Sequence, residues 1–237
     1  MAAVTLGRDG KPVGQRRKPF TWSYSRLKNW RVCPKRHWEI DVEKNYKEPE
    51  SEQLTWGNAV HDALAARCDP KKQTPLPAAM APYEHWAEKC LRGGGEVMVE
   101  QNLALTANFT SCGYFDKDVW FRAKGDLIKI VGDVGLIVDW KTGKILEDSE
   151  QLALTAACVF ALRPEVKAVR SSFIWLKEDA ETSETFLRSD MPNVWRRMWP
   201  EITALKEAYD NTNYPAKPGN LCRAWCAVKA CPHNGRA

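Results

Sequence analysis

No stretch of this 237-residue chain approaches the run of about twenty apolar residues that a membrane-spanning helix needs, so no span is expected. Arg16-Arg17-Lys18 near the start has the look of an export signal, but Trp22, Ser23, Tyr24, Ser25 and Arg26 supply no apolar core for one. The expected location is therefore the cytoplasm. A phosphate-cradling loop ending in Gly-Lys-Ser or Gly-Lys-Thr is also missing, so energy-driven translocation would need another protein. No internal repeat is present. Without a signal peptide, the eight cysteines are a poor disulfide framework and a better set of metal ligands or core thiols.

What the chain does contain is ordinary globular composition, 44% hydrophobic and 27% charged, enough for one sizeable core. A formal charge of +5 and a pI near 8.7 are compatible with a polyanionic partner without requiring one. Eleven tryptophans are many. Several adjoin cations, at Trp30-Arg31, Trp140-Lys141, Trp195-Arg196 and Arg223-Ala224-Trp225, where rings can either stack on unpaired bases or fill the core.

Residues 1–20 lack periodicity and read as a flexible basic lead, and residues 21–237 as a single domain whose last part, 212–237, is rich in cysteine. Helices are expected from Ser23 or Ser25 to the break at Cys33-Pro34 and on to about Lys44, from Thr55 to Arg67, and from Ala78 to Leu91. Gly93-Gly94-Gly95 ends the third, and the period then changes to two. Strands are expected from Glu96 to Leu105, with Glu100 on the less apolar face, and at Asp118–Ala123, Asp126–Val131 and Gly135–Trp140. A helix at Ser149–Leu162 precedes strands at Val169–Lys177 and Ser183–Leu187. A last helix follows at Pro192–Asp210, where Pro200 is expected to introduce a kink. That order implies an α/β fold with a central mixed sheet flanked by helices.

Asp139-Trp140-Lys141 carries the chemistry. In a strand residues i and i+2 share a face, so the Asp139 carboxylate lies beside the Lys141 ammonium. The hairpin through Gly132-Asp133 pairs this strand with the one beginning at Asp126. Two carboxylates next to a fixed cation are what metal-assisted phosphodiester hydrolysis needs, because Mg²⁺ takes few protein oxygens and the cation steadies charge on the attacked phosphorus. Two controls lie in the same chain: Asp9-Gly10-Lys11 has no strand around it, and Glu165-Val166-Lys167 has no acidic partner strand before it.

Taken together, Ser23-Tyr24-Ser25-Arg26-Leu27 with Cys33-Pro34, Gly57-Asn58-Ala59-Val60-His61, Gly125-Asp126 with Asp139-Trp140-Lys141, and Gln151 resemble the PD-(D/E)XK nuclease superfamily, in its RecB-like exonuclease branch with CRISPR-associated and phage-encoded members. The resemblance runs from Ser23 to Asn234. It implies a restriction-endonuclease-like core in which His61, Asp126, Asp139 and the Trp140 carbonyl hold Mg²⁺ or Mn²⁺, with Glu100 direct or through water. Lys141 would be catalytic and Gln151 would orient the nucleophile or the phosphate. A histidine ligand tilts the preference toward Mn²⁺. Where the family often has Gln-x-x-x-Tyr, this chain has Gln151 and Thr155.

Cys222, Cys226 and Cys231 place three thiols within ten residues, one ligand short of a site. The resemblance supplies Cys33 as the fourth, holding a 4Fe-4S cluster that packs residues 212–237 back on the Cys33 region. Zn²⁺ completed by Cys33 or His233, and unligated thiols, remain open. Cys68, Cys90, Cys112 and Cys158 are expected in the core. The function implied is a DNA exonuclease acting on single strands or ends in replication, recombination or repair, in the host cytoplasm if phage-borne, with a helicase or recombinase as partner. The alternative is a catalytically silent scaffold that binds DNA or protein.

Overall fold

The computed structural model describes residues 19–146 and 148–235. The expected basic lead falls outside them through residue 18. The described residues form two compact units, one from those up to Glu48 together with those from Trp199 on, and one within Pro49–Met198.

The central unit opens with α3 (Glu52–Cys68), which follows β1 (Trp22–Ser23), α1 (Tyr24–Val32) and α2 (Pro34–His37) of the other unit. The α3 helix starts three residues earlier than its periodicity suggests, because Ser51 caps it by accepting a hydrogen bond from the Leu54 N–H at 3.2 Å; such a cap is worth about 1 kcal/mol. Val60, Leu64 and Cys68, spaced by four, form its buried stripe and pack with Trp86, Leu127, Val138, Trp140 and Ile174. The expected helix 78–91 divides at Pro82 into a 3₁₀ segment, Ala78–Tyr83, and α4, Glu84–Leu91. Gly93, Gly94 and Gly95 all take positive φ, and a Cβ on Gly95 would meet the Ile130 carbonyl at 2.6 Å, so that turn requires glycine.

Four long or medium strands and one further hairpin strand follow: β2 (Glu96–Thr106), β3 (Val119–Val131), β4 (Val134–Lys141), β5 (Ala168–Trp175) and β6 (Ala180–Leu187). The two strands expected at 118–123 and 126–131 are one continuous strand, in which Gly125 still pairs with Gln101. Within this unit the order is β2-β3-β4-β5-β6, antiparallel except for the parallel β4–β5 pair. The parallel pair is bridged by α5 (Ser149–Leu162), buried along most of its length from Leu152 to Phe160, as expected for a crossover helix that is apolar all round. Leu127, Val138 and Trp140 face α3 and α4. The other face meets α5, where a Cβ on Gly135 would lie 3.4 Å from Val159. The unit is thus a mixed sheet flanked by helices.

In the other unit α1 is capped by Ser23, which accepts from the Arg26 N–H at 3.4 Å. Cys33 is extended and Pro34 begins α2, so the break falls where expected. The continuation to Lys44 is instead a π-helical turn, Trp38–Val42. The helix α6 (Met191–Asn211) carries the chain back into this unit and runs unbroken through Pro200. Beyond it, α7 (Leu221–Ala224) leads into a closing loop clasped by Asn234, whose buried amide donates to the carbonyls of Cys226 at 3.0 Å and Val228 at 2.9 Å. No helix among the described residues is long and apolar enough to cross a membrane.

Candidate active site

Three adjacent strands bring the acidic residues into line. Val99 pairs with Leu127 and Gln101 with Gly125, which sets Glu100 opposite Asp126. The β3–β4 ladder ends at the Leu127–Val138 pair, which leaves Asp126 and Asp139 as the next residue on each strand. The charge on Asp126 reaches the Asp139 carboxyl, so the two acids share one electrostatic site. Glu100 interrupts the regular ladder with a φ of +52°, a left-handed conformation that costs a non-glycine residue about 1–3 kcal/mol and tends to occur at functional positions.

Two side-chain groups result. In the first, His61 Nδ1 lies 3.3 Å from Asp126 Oδ2, and donor atoms of His61, Glu100 and Asp126 all lie within 4.8 Å of one another. The Trp140 N–H donates to Asp126 Oδ2 at 2.9 Å, and Lys124 pairs with Glu100. In the second group Lys141 Nζ is 2.7 Å from Asp139 Oδ1, while Gln151 donates from Nε2 to Asp139 Oδ2 at 2.5 Å and accepts from Lys141 Nζ at 3.4 Å. Both Asp139 oxygens are thus engaged by protein groups, and Asp139 is not among the three clustered donors. The lysine also lies 4.7 Å from the Phe173 ring centroid.

The electrostatics follow from this crowding. Burial, opposed by Lys141 and reinforced by the Asp126 charge, pushes the Asp139 carboxyl up to about 6. The hydrogen bond to Asp126 holds His61 above the usual imidazole range, against its own burial and with help from the charges of Asp126, Asp139 and Glu100. A proton on His61 therefore supplies positive charge where anionic side chains converge. The donor set fits a divalent ion of mixed oxygen and imidazole preference: bonds of about 2.0–2.2 Å put neighbouring donors about 3–4 Å apart, a range that includes the 3.3 Å between His61 and Asp126. Metal binding would be coupled to loss of that proton.

Some contacts were not legible in the chain. Phe173 reaches Lys141 only because Asp139 pairs with Phe173 across the parallel β4–β5 ladder, a non-local register that no local pattern announces. Lys124 had a signal, since it lies two residues before Asp126 on the same strand face. Thr155 in place of the family's tyrosine is buried and turns its hydroxyl back to the Gln151 carbonyl at 3.0 Å. Of the tryptophans beside cations, Trp140 and Trp195 are core residues, 2% and 8% exposed, whereas Trp225 is 72% exposed. The first two cannot stack on bases.

In the other unit Cys33, Cys222, Cys226, Cys231 and His233 line one cavity of about 130 Å³. Backbone N–H groups of Lys217 and Gly219 donate to the sulfurs of Cys33 and Cys222, each at 3.4 Å, and the Lys35 N–H reaches the Pro215 carbonyl at 3.2 Å. All eight cysteines are free thiols. Cys68 and Cys158 are buried, Cys90 and Cys112 partly so; burial pushes Cys68 up to about 11 and Cys90 up to about 12.

A mixed sheet flanked by helices, with two neighbouring carboxylates and a lysine two residues beyond the second, defines a restriction-endonuclease-like α/β protein. The family model of the PD-(D/E)XK nuclease superfamily matches residues 21–232, and the chain belongs to that superfamily. A crystal structure of a protein from Eubacterium rectale named as an exonuclease is similar at 13% identity, covering 93% of this chain and 92% of that one with a TM-score of 0.50. That of SSO0001 is similar at 12% identity, covering 94% and 91%, with a TM-score of 0.41. No curated protein matches this sequence.

Proposed function

We propose that this chain is a metal-dependent deoxyribonuclease, and specifically an exonuclease acting on single strands or strand ends during replication, recombination or repair. The observation that carries the reading is that Asp126 and Asp139, each next to the last pair of the β3–β4 ladder, feel one another's charge, with Lys141 Nζ 2.7 Å from Asp139. His61, Glu100, Asp126, Asp139 and the Trp140 carbonyl would hold Mg²⁺ or Mn²⁺, the imidazole favouring Mn²⁺. The chemistry such an ion supplies when bound is acidification of water near neutral pH and relief of phosphate charge.

The side chains contribute the rest. Lys141, fixed between Asp139 and the Phe173 ring, presents its ammonium to the oxygen charge that builds on phosphorus during in-line attack. Gln151 holds the Asp139 carboxylate in one orientation through Oδ2. Lys124 and the Trp140 N–H do the same for Glu100 and Asp126. A helicase or recombinase would serve as partner, because the chain has no nucleotide-hydrolysis motif of its own.

For the cysteine cavity the reading is a 4Fe-4S cluster on Cys33, Cys222, Cys226 and Cys231. The four line one cavity, and backbone N–H donors to two of the sulfurs are the kind of contact that tunes such clusters. Anaerobic purification is expected to give a brown protein with four irons per chain. A colourless protein with stoichiometric zinc refutes the assignment.

The activity test is digestion of end-labelled single- and double-stranded DNA with Mg²⁺, Mn²⁺ or EDTA. Wild type is expected to release nucleotides from ends only with metal, and Asp139→Ala and Lys141→Ala to be inactive. DNA binding without cleavage under either metal would identify a silent scaffold instead.

A further inference from the structure

Four large apolar side chains stand exposed on two segments that meet beside the acidic cluster. On α3, Leu54 is 50% and Trp56 39% exposed; on the loop that follows Lys141, Ile145 is 50% and Leu146 66% exposed. The helical register makes these exposures unexpected. Trp56 lies one turn before Val60 on the stripe that buries Val60 and Leu64 completely, yet the first turns of α3 lie in solvent from Glu52 to Trp56. Leu54 shares the stripe of Gly57 and His61, about 10 Å along the helix from His61 at 1.5 Å per residue.

The two segments touch. A Cβ built on Gly57 would lie 3.2 Å from the Thr142 hydroxyl, so α3 packs directly on the residue after Lys141. The apolar pairs therefore flank that contact, one on each segment, with Lys144 exposed between Thr142 and Ile145. We infer that this rim receives the unpaired bases of single-stranded DNA on either side of the phosphate held at the acidic cluster, and that Trp56 is its stacking residue. The inference rests on the nuclease reading and names the form of DNA that site accepts.

The occupant follows from chemistry. A strand whose phosphate reaches the carboxylates necessarily brings the adjoining bases within about a nucleotide or two of the rim. In a duplex those rings are stacked on one another and offer edges. In a single strand their faces are free, and an indole with aliphatic neighbours and one cation is a surface that stacks bases without reading sequence. The aliphatic residues would fill the sides of the stack and exclude water from it.

The test measures affinity and KM for a short single strand, intact or with abasic sites flanking the cleaved position, for wild type, Trp56→Ala and Trp56→Phe. Loss of one stacked base is expected to weaken wild type about 5- to 150-fold. Trp56→Ala is expected to bind the intact strand as weakly as wild type binds the abasic one and to lose the discrimination, with Trp56→Phe restoring most of it. Trp56 is exposed, so unchanged circular dichroism and melting temperature certify the variants. Cleavage by wild type with equal discrimination in wild type and Trp56→Ala overturns this inference alone and leaves the rim to a protein partner. Absence of both binding and cleavage in wild type removes the nuclease reading and this one with it.

Discussion

The Lys141 ammonium lies 4.7 Å from the centroid of the Phe173 ring, a residue 32 positions away that pairs with Asp139 across the parallel strands. Phe173 is 2% exposed, and the Lys141 ammonium, on a side chain 28% exposed, also pairs with Asp139. A cation–π contact is worth about 0.5–2 kcal/mol, and its effect here is to restrict where the amine points. Phe173→Leu keeps the site apolar but removes the quadrupole. Turnover is expected to fall about 3- to 30-fold with KM for DNA nearly unchanged, if one such contact acts in the transition state. Steady-state kinetics with either metal checks this; a change confined to KM would show that Phe173 serves binding instead.

Asp139 ties stability to pH. Its carboxyl ionises near the ordinary 3.8 when unfolded but is pushed up to about 6 in the fold. Between those values the native state holds a proton that the unfolded chain has released, so stability of the metal-free protein falls as pH rises through this window and the penalty is complete above it. Asp41 and Glu181, both lowered chiefly through their hydrogen-bonded partners despite burial, act in the opposite sense, so the readout is a difference. Melting temperatures in EDTA are expected to converge for wild type and Asp139→Asn below the unfolded value of 3.8, with the variant gaining as pH rises from there to about 6 and keeping that gain above it. Parallel curves would contradict the shift.

Gly57 is a close-approach glycine. Its would-be Cβ stands 3.2 Å from Thr142 Oγ1, immediately after Lys141. Valine at this position must push the loop away, and a displacement of about 1 Å at a reacting group can cost about 100-fold in rate. Gly57→Val is expected to lower turnover about 10- to 100-fold, with a smaller effect on melting temperature because α3 keeps its Ser51 cap and its buried stripe of Val60, Leu64 and Cys68. Reduced melting with full specific activity would place the effect in the core.

These tests also mark what the chain announces about itself. The i, i+2 spacing of Asp139 and Lys141 is a local property of a strand, and the two side chains do meet; the Gly132 hairpin pairs the strands as far as Leu127 and Val138, one residue short of the two acids. The sheet flanked by helices follows likewise from alternating periods. By contrast, the continuity of β3 through Gly125 depends on a partner strand that tolerates glycine in the ladder, and the early start of α3 depends on a single serine hydroxyl. Phe173 under Lys141 depends on a parallel register set by α5. Periodicity carries no record of such long-range pairings.

Glu100 separates site from scaffold most cleanly. Its left-handed φ of +52° is a strain any Cβ-bearing residue must bear, while glycine adopts it freely. The Lys124 partner returns little, since both side chains are partly exposed, 58% and 28%, and surface pairs contribute about 0–1 kcal/mol. Glu100→Ala keeps the strain and loses the carboxylate; Glu100→Gly relieves the strain and loses the carboxylate. The glycine variant is therefore expected to be more stable than the alanine variant by about 1 kcal/mol, while both bind Mn²⁺ more weakly than wild type. Urea denaturation in EDTA and calorimetric Mn²⁺ titration separate the two effects. An alanine variant as stable as glycine would mean that β2 relaxes once the carboxylate is gone, so that the strain belongs to the side chain's hold on its neighbours and not to the strand.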